Sequence, residues 1–186
     1  MNKDIFQSVH KLTRQYNTRD PFIILREKGV TIRYSNRLEK LKGYCVCCLR
    51  SFFVVINSRL TEEEQRVVAA HELGHIVLHR STLSSACLPD YSLYDTTSHE
   101  EREANAFAAE LLLEDCDMTC FSEGEAADLF CLACTYSVPP ELVAIKLQAM
   151  NARGYTFNSC DIPDSGFLGR IKTYAEMLSG FNGHRS

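Results

Sequence analysis

Residues 61–80 read TEEEQRVVAAHELGHIVLHR, and this stretch decides how the rest of the chain is interpreted. Thr61 is followed three residues later by Glu64, which is the capping-box pattern of a helix start. Apolar residues then recur at the spacing of a helical face. The stretch therefore predicts one helix that runs from about Glu62 to Arg80.

Two histidines within this helix form a candidate metal site. His71 and His75 are one helical turn apart, so both imidazoles can converge on one zinc ion. Glu72 lies about 100 degrees around the helix from His71, which by analogy with other H-E-x-x-H sites puts its carboxylate beside the metal-bound water. Glu72 is therefore the candidate general base. A chance match to five residues is the alternative, but it leaves two histidines unexplained among the apolar residues of a capped helix.

A catalytic zinc site needs a third protein ligand. Position 81 is a serine, which excludes the pattern that places a third histidine six residues after His75. His79 follows one turn later on the same face, but a straight helix carries it about 6 Å further along. We therefore predict that His79 caps or packs and does not bind the metal.

A second predicted helix offers acidic candidates for the third ligand. Residues 98–113 read SHEEREANAFAAELLL, and the alanines would allow a close approach to the first helix. Glu101 and Asn105 share a face, so Glu101 could bind the metal while Asn105 hydrogen-bonds a ligating histidine. Spacing alone does not choose between Glu101 and its neighbours Glu100 and Glu103.

The combination of H-E-L-G-H with a downstream E-x-x-A-N-x-F-A-x-x-L-L resembles the ImmA/IrrE family of zinc metallopeptidases, of the kind found in prophages and integrative elements. The resemblance covers about Asp20 to Leu113. It implies that Glu101 supplies the third zinc ligand. The family segment commonly closes with Leu-Leu-Met-Pro, whereas this chain continues from Leu113 into Glu114 and Asp115, so the helix should run longer or end differently.

The resemblance also implies an activity. The implied enzyme is a zinc-dependent endopeptidase, with Zn²⁺ held by His71, His75 and Glu101 and with Glu72 as the catalytic base. Family members typically cleave a helix-turn-helix repressor of a mobile element, so such a repressor is the implied partner. Two alternatives stay open: a catalytically weak or inactive module that binds the repressor, and a metallohydrolase with a non-peptide substrate.

The fold class that we expect is α+β and zincin-like, with a small sheet packed on the active-site helix and a mainly helical C-terminal half. Three stretches rich in β-branched and aromatic residues predict strands: Val30–Tyr34, Gly43–Leu49 and Ser51–Ile56. The last of these strands is the expected sheet edge, where a substrate could add a strand. We expect one domain over residues 1–186, with a catalytic core over about 1–115 and a helical part over about 116–186.

The spacing of apolar residues and the positions of capping residues, glycines and prolines predict the remaining elements. Further helices are expected over Asp4–Tyr16, Asp20–Lys28, Glu123–Thr135, Pro139–Asn151 and Gly169–Leu178. Ser81 to Ser98 should form a long loop, and Thr97 with Glu100 suggests a second capping box. In or beside that loop, Tyr91, Tyr94 and His99 are candidates for stabilising an oxyanion.

Composition excludes several classes of function. A net charge of −4 provides no basic stripe for direct nucleic-acid binding. No apolar run approaches the length of a membrane span, which is roughly 18 to 20 residues. No signal peptide is evident either. We therefore expect a cytoplasmic protein without membrane contact.

The nine cysteines indicate reduced thiols, because their number is odd and no export signal precedes them. Only Cys131 and Cys134 have a spacing that suggests a second, structural zinc site. We expect the cysteines to be small buried hydrophobic residues instead.

Overall fold

The computed structural model describes residues 2–39, 41–85, 98–119 and 129–157. Within them, helices and a small sheet give the expected α+β class. In chain order the elements are α1 (Asn2–Tyr16), α2 (Pro21–Glu27), β1 (Thr31–Ser35), β2 (Gly43–Cys48), β3 (Ser51–Asn57), α3 (Glu62–Leu78), α4 (Arg80–Ser85), α5 (Ser98–Leu112), α6 (Asp115–Thr119), α7 (Leu129–Tyr136) and α8 (Pro140–Asn151).

The sheet has the strand order β1-β3-β2, in which β3 runs parallel to β1 and antiparallel to β2. The prediction that Ser51–Ile56 forms the edge is therefore wrong, because this segment lies in the middle strand. Phe52, Val54 and Ile56 are buried on the face that meets the helices. Their alternation predicts a half-buried strand, but it does not say how many neighbours that strand has. Among the strands that the structure describes, β2 is the edge strand that contacts α3.

A two-residue turn joins β2 to β3. Leu49 and Arg50 both have positive φ, at 50° and 64°. Positive φ at both residues is typical of the type I′ hairpin turn, which favours Asn-Gly, so the Leu-Arg sequence does not predict this turn. Because Leu49 belongs to the turn, β2 ends at Cys48, one residue before the predicted boundary.

Helix α3 is the central element of the fold, and its capping box is present as predicted. The N–H of Glu64 donates to Thr61 Oγ1 at 3.2 Å, and the N–H of Thr61 donates to Glu64 Oε2 at 3.1 Å. Every residue from Val67 to Ile76 is buried. The helix ends at Leu78, and His79 occupies the C-cap position. A helix buried on all sides holds its polar side chains away from bulk water.

The residues directly after α3 form the short helix α4, so the predicted loop from Ser81 is wrong up to Ser85. Leu83 packs against the core, and the Arg80 guanidinium lies 4.9 Å from the centre of the Phe52 ring. One buried apolar residue can hold such a short helix against the core. A single residue forms no repeating apolar pattern, so the helix is not predicted from the sequence. The rest of the predicted loop lies at 86–97, outside the described residues.

Helix α5 packs along α3 at very short range. A Cβ atom placed on Gly74 would lie 3.2 Å from the Cα atom and the carbonyl oxygen of Ala104, and 3.2 Å from Cβ of Phe107. The missing side chain of Gly74 therefore lets the two helix backbones approach each other. This contact brings side chains of α5 within reach of those on α3.

The far end of α5 is fixed by a cluster of charges. Lys146 on α8 is 1% exposed, and its Nζ atom lies 2.6 Å from both Glu110 Oε2 and Asp115 Oδ1. Arg153 pairs with the same two carboxylates. Helix α5 ends at Leu112 and does not extend beyond Leu113, as one of the two expectations had it. After the helix end, Asp115 forms ion pairs with Lys146 and Arg153. Its contacts with Lys146 and Arg153 outweigh burial and lower the pKa of Asp115.

The remaining helix predictions have different outcomes. The helix expected over Pro139–Asn151 is confirmed as α8, and the one over Glu123–Thr135 is confirmed from Leu129 onward. The start of the latter, the helix over Gly169–Leu178 and the cap at Thr97 lie outside the described residues. Within the described part of the chain, no single helix is long and apolar enough to cross a membrane; α7 and α8 together would qualify by length and composition, but they are bent by 108°.

Candidate metal centre

Three side chains from two helices meet at one point between α3 and α5. Nε2 of His71 lies 3.1 Å from Nε2 of His75, and the Glu101 carboxylate lies 3.4 Å from the first nitrogen and 3.3 Å from the second. Both imidazoles are about 1% exposed, while the carboxylate is 21% exposed. Among the described residues, this is the one group whose ligand atoms all lie within 4.8 Å of one another.

The spacing of these atoms suits a zinc ion. With bonds of about 2.0 to 2.1 Å, neighbouring ligands of tetrahedral zinc lie about 3.3 Å apart. The two Nε2 atoms, 3.1 Å apart, are close to that spacing, and each lies at a similar distance from a different Glu101 oxygen, 3.4 Å from Oε2 for His71 and 3.3 Å from Oε1 for His75. Oε1 of Glu101 is buried and has no hydrogen bond within the described part of the chain. Two imidazoles and one carboxylate also form a ligand set that leaves a fourth position open.

Asn105 lies behind His71, on the side away from the candidate metal. The Nδ1–H of His71 donates to Asn105 Oδ1 at 2.8 Å. A proton held on Nδ1 leaves the lone pair of Nε2 directed at the other two side chains. The sequence-based expectation that Glu101 and Asn105 act from one face of α5 is confirmed in its geometry.

Glu72 lies beside this group in a fully buried position. It is 1% exposed, and neither carboxylate oxygen has a hydrogen bond that meets normal geometric limits within the described residues. Burial raises the pKa of Glu72 to about 7, although nearby His75 and the Cys45 thiol act in the opposite direction. A buried carboxyl with a pKa near neutrality can both take up and release a proton at physiological pH.

Glu101 has the opposite electrostatic character. Burial alone would raise the pKa of its carboxyl, but contacts with His71 and His75 outweigh burial and lower the pKa to about 2. Glu101 is therefore ionised throughout the neutral range. An ionised carboxylate facing two imidazoles is the form that a divalent cation requires.

Strand β2 crosses α3 next to Glu72, and this contact was not predicted from the sequence. A Cβ atom on Gly43 would overlap Cγ1 of Val68 and would lie 3.8 Å from Oε1 of Glu72. The Cys45 thiol interacts with the same carboxylate, and burial together with Glu72 raises the pKa of this thiol well above its usual value. The alternation of β2 places Cys45 on the buried face, but no local pattern indicates which helix residue it meets.

His79 does not join the three candidate ligands. It is 9% exposed, and its ring centre lies 5.6 Å from that of His75. Nδ1 of His79 lies 3.9 Å from Glu100, and Nε2 lies 3.7 Å from Glu103. Burial and the proximity of His75 lower the pKa of His79. The expectation that His79 caps or packs is confirmed, since it is the C-cap of α3 and is packed against α5.

The other candidate side chains lie elsewhere or outside the described residues. His99 is half exposed and lies 3.4 Å from Glu103. Tyr91 and Tyr94 fall in the undescribed segment 86–97. The expectation of buried cysteines is confirmed for Cys45 and Cys47. It is wrong for four others, which lie on exposed helix or strand positions: Cys48, Cys116, Cys131 and Cys134.

Comparisons with known proteins identify the family of this chain. Residues 25–148 match the Peptidase_M78 family, described as IrrE N-terminal-like domain, and this match includes all three candidate ligands and Glu72. A protein of Bacillus phage phi105, named "Uncharacterized immunity region protein 2", is 30% identical over 139 residues, which cover 75% of this chain and 86% of the phage protein. No solved structure matches the chain.

Proposed function

The chain belongs to the Peptidase_M78 family, and from that premise we propose that it is a zinc-dependent endopeptidase that cleaves a helix-turn-helix repressor of a mobile genetic element. The family indicates a metallopeptidase-like enzyme, and the described residues contain one group that could hold a metal ion. That the metal is zinc, that the reaction is peptide-bond hydrolysis and that the substrate is a repressor are our proposals. A separate observation supports each of them.

His71, His75 and Glu101 would hold the zinc ion. When bound, zinc supplies a Lewis acid that lowers the pKa of water to about 7 and polarises a carbonyl group. The support for these ligands is the set of separations between 3.1 and 3.4 Å, together with the burial of the Glu101 Oε1 atom, which faces His75. Asn105 keeps His71 in the tautomer that the ion needs.

The observation that carries the proposal is the state of Glu72. Its carboxyl is fully buried beside the candidate metal group, the Cys45 thiol is its hydrogen-bonding neighbour, and its pKa lies at about 7. A buried carboxyl whose oxygens are poorly hydrogen-bonded costs free energy, so its retention points to a use. We assign Glu72 the role of general base: a carboxylate oxygen takes the proton of the attacking water and then delivers it to the amine that leaves.

The substrate would lie along β2. In the described sheet β2 pairs with β3 on one side, and its other edge is not paired with a strand. Gly43 and Cys45 bring this strand against Glu72, so a peptide added to the open edge would pass the proposed base. This assignment replaces the middle strand β3 that the sequence suggested.

The phage relative supports a repressor as the substrate. Its name places that protein in a phage immunity region. For this chain we propose the corresponding context, in which the substrate is a helix-turn-helix repressor and cleavage relieves repression. Recognition would then involve a protein surface and no direct contact with nucleic acid.

Two other functions make different predictions. A repressor-binding module without activity would bind the repressor and leave it intact. A metallohydrolase of non-peptide substrates would neither bind nor cut it. The buried carboxyl of Glu72 favours catalysis over simple binding, because a binding module gains nothing from a buried carboxyl whose oxygens are poorly hydrogen-bonded.

The test compares the wild type with Glu72→Gln. Glu62→Gln, an exposed change on the same helix, is the matched control. Each purified protein is loaded with zinc and incubated with a helix-turn-helix repressor encoded next to it, and products are identified by mass spectrometry. We expect the wild type and Glu62→Gln to cut one peptide bond, and Glu72→Gln to lose about 100- to 10,000-fold in rate while it keeps zinc.

Two outcomes would contradict the proposal. Cleavage by Glu72→Gln at the wild-type rate would exclude Glu72 as the general base. Binding of the repressor by the wild type without cleavage, measured by co-elution in size-exclusion chromatography, would favour the inactive module.

A further inference from the structure

Helix α5 meets α3 closely where Gly74 faces Ala104 and Phe107, and polar contacts lie on both sides of this contact line. Ala104 lies at the contact with Gly74. With about 100 degrees between successive residues, Glu101 and Asn105 fall on one side of Ala104. Glu100 and Glu103 fall on the other side, so the two pairs straddle the contact between the helices.

Each side of this contact line meets its own histidines of α3. On one side, Glu101 reaches the two candidate ligands, and Asn105 accepts the hydrogen bond of one of them. On the other side, Glu100 and Glu103 lie on either side of the His79 ring, at 3.9 and 3.7 Å from its two nitrogens. Glu100 also accepts a hydrogen bond from Thr82 at 3.2 Å. A rotation of α5 about its axis would therefore disturb both sides together.

His79 is well placed to resist such a rotation. Its ring is nine-tenths buried, packs against the ring of His75, and has no hydrogen bond at Nε2 within the described residues. The ring lies between the Glu103 carboxylate, 3.7 Å from Nε2, and the Glu100 carboxylate, 3.9 Å from Nδ1, so it contacts α5 at two points that flank Glu101. A side chain needed only to fill space would not require two nitrogens facing two carboxylates.

We propose that His79 is a positioning residue, which acts through Glu100 and Glu103 to fix the rotation of α5 and thereby the direction of the Glu101 carboxylate. This inference rests on the proposed zinc site. It assigns a role to three residues that are not ligands. Groups that orient ligands in this way typically contribute about 10- to 100-fold to metal affinity.

The measurement is the zinc affinity of the full-length chain, determined by competition with a chromophoric chelator. His79→Phe keeps a buried ring and removes both nitrogens, so we expect an affinity lower by roughly 10- to 100-fold. His10→Phe, at an exposed histidine of α1, is the matched control and should bind zinc like the wild type. His79→Gln keeps one N–H donor and should fall between His79→Phe and the wild type.

A double-mutant cycle separates positioning from simple charge effects. Replacing Glu100 and Glu103 by alanine removes two negative charges near the metal, which weakens zinc binding by itself. If His79 acts through these carboxylates, their removal costs much less affinity in the His79→Phe background than in the wild type. Additive losses would overturn the proposal.

Two further readouts test whether the fold and the ligand set are unchanged. Thermal unfolding of the metal-free proteins should show similar midpoints for His79→Phe and the wild type; if His79→Phe does not fold, His79→Gln replaces it in the cycle. The visible spectrum of bound Co²⁺ should have the same shape in His79→Phe and in the wild type, because both have the same ligands. A changed spectrum would show that His79 is itself a ligand.

The outcomes separate the positioning role from the proposed function. If the wild type does not bind zinc, the proposed function is wrong as well. If the wild type and His79→Phe bind zinc with equal affinity, only the positioning role is wrong.

Discussion

The Nδ1 atom of His71 lies 2.8 Å from Oδ1 of Asn105, so a residue of α5 determines which nitrogen of a histidine on α3 carries the proton. Asn105→Ala removes this acceptor, and we expect zinc affinity to fall by roughly 10- to 100-fold. Asn105→Asp, which keeps an acceptor, should retain most of the affinity. Equilibrium dialysis against buffered zinc measures both, with the exposed change Asn36→Ala as control. Equal affinity for Asn105→Ala and the wild type would contradict the role of Asn105.

Glu101→Ala tests whether the third ligand is correctly identified. Loss of the carboxylate leaves two imidazoles, so we expect the chain to lose stoichiometric zinc and its peptidase activity. Metal analysis after gel filtration measures the first, and the repressor-cleavage assay the second. Arg102→Ala changes the exposed neighbour and should preserve both. A Glu101→Ala variant with full zinc content would show that another residue completes the site.

The raised pKa of Glu72 predicts how the stability of the metal-free protein depends on pH. Below pH 4.5 the carboxyl is protonated in both the folded and the unfolded chain. Between pH 4.5 and about 7 the unfolded chain releases this proton while the folded chain keeps it, so stability falls as pH rises. The total loss is about 3 kcal/mol.

Glu72→Gln lacks this titration. We therefore expect its free energy of unfolding, measured in urea, to decline less than that of the wild type across the same pH range. The difference between the two proteins should be complete by about pH 8. Parallel curves from pH 4 to pH 8 would mean that the folded chain holds Glu72 at its ordinary pKa.

Gly74→Ala tests the close contact between α3 and α5. Alanine favours a helix by about 1 kcal/mol over glycine, but its Cβ would lie only 3.2 Å from atoms of Ala104 and Phe107. We expect the crowding to dominate, with a net loss of stability of about 1 kcal/mol and a lower zinc affinity. Urea unfolding and chelator competition measure these two effects. A more stable variant with normal zinc binding would show that the helices can separate without cost to the site.

Lys146→Met tests the buried charge cluster. The change leaves Glu110 buried with only part of its compensating charge, so we expect a loss of about 3 kcal/mol in the free energy of unfolding. The double variant Glu110→Gln with Lys146→Met removes both charges and should lose less than the sum of the single variants. Urea unfolding of the wild type, the two single variants and the double variant gives the coupling free energy between Glu110 and Lys146. Strictly additive losses of unfolding free energy would contradict a direct interaction between the two side chains.

The features predicted from sequence are those encoded by neighbouring residues. The capping box at Thr61 and Glu64 is confirmed, because both partners lie within one helical turn. The shared face of Glu101 and Asn105 follows from helical periodicity in the same way. Choosing Glu101 over Glu100 and Glu103 needed the family resemblance, since all three lie in the same acidic stretch of α5.

The features missed depend on contacts between distant segments. The order of strands in the sheet is one example, because β3 has the same alternation of buried and exposed residues whether it has one neighbour or two. The contact of Cys45 with Glu72 is another, since it depends on where β2 crosses α3. The exposure of Cys131 and Cys134 could not be derived either, because only the packing of α7 decides which of its faces meets the core.

The contact between Gly74 and Ala104 has a consequence for how long the protein persists in a cell. The helices that carry the candidate ligands also form the central interface of the fold, so an ion that joins them would oppose unfolding as well as support catalysis. An ion present at 100 times its dissociation constant adds about 2.7 kcal/mol to folding stability. If the chain binds zinc as proposed, zinc starvation would therefore lower its folding stability and speed its degradation.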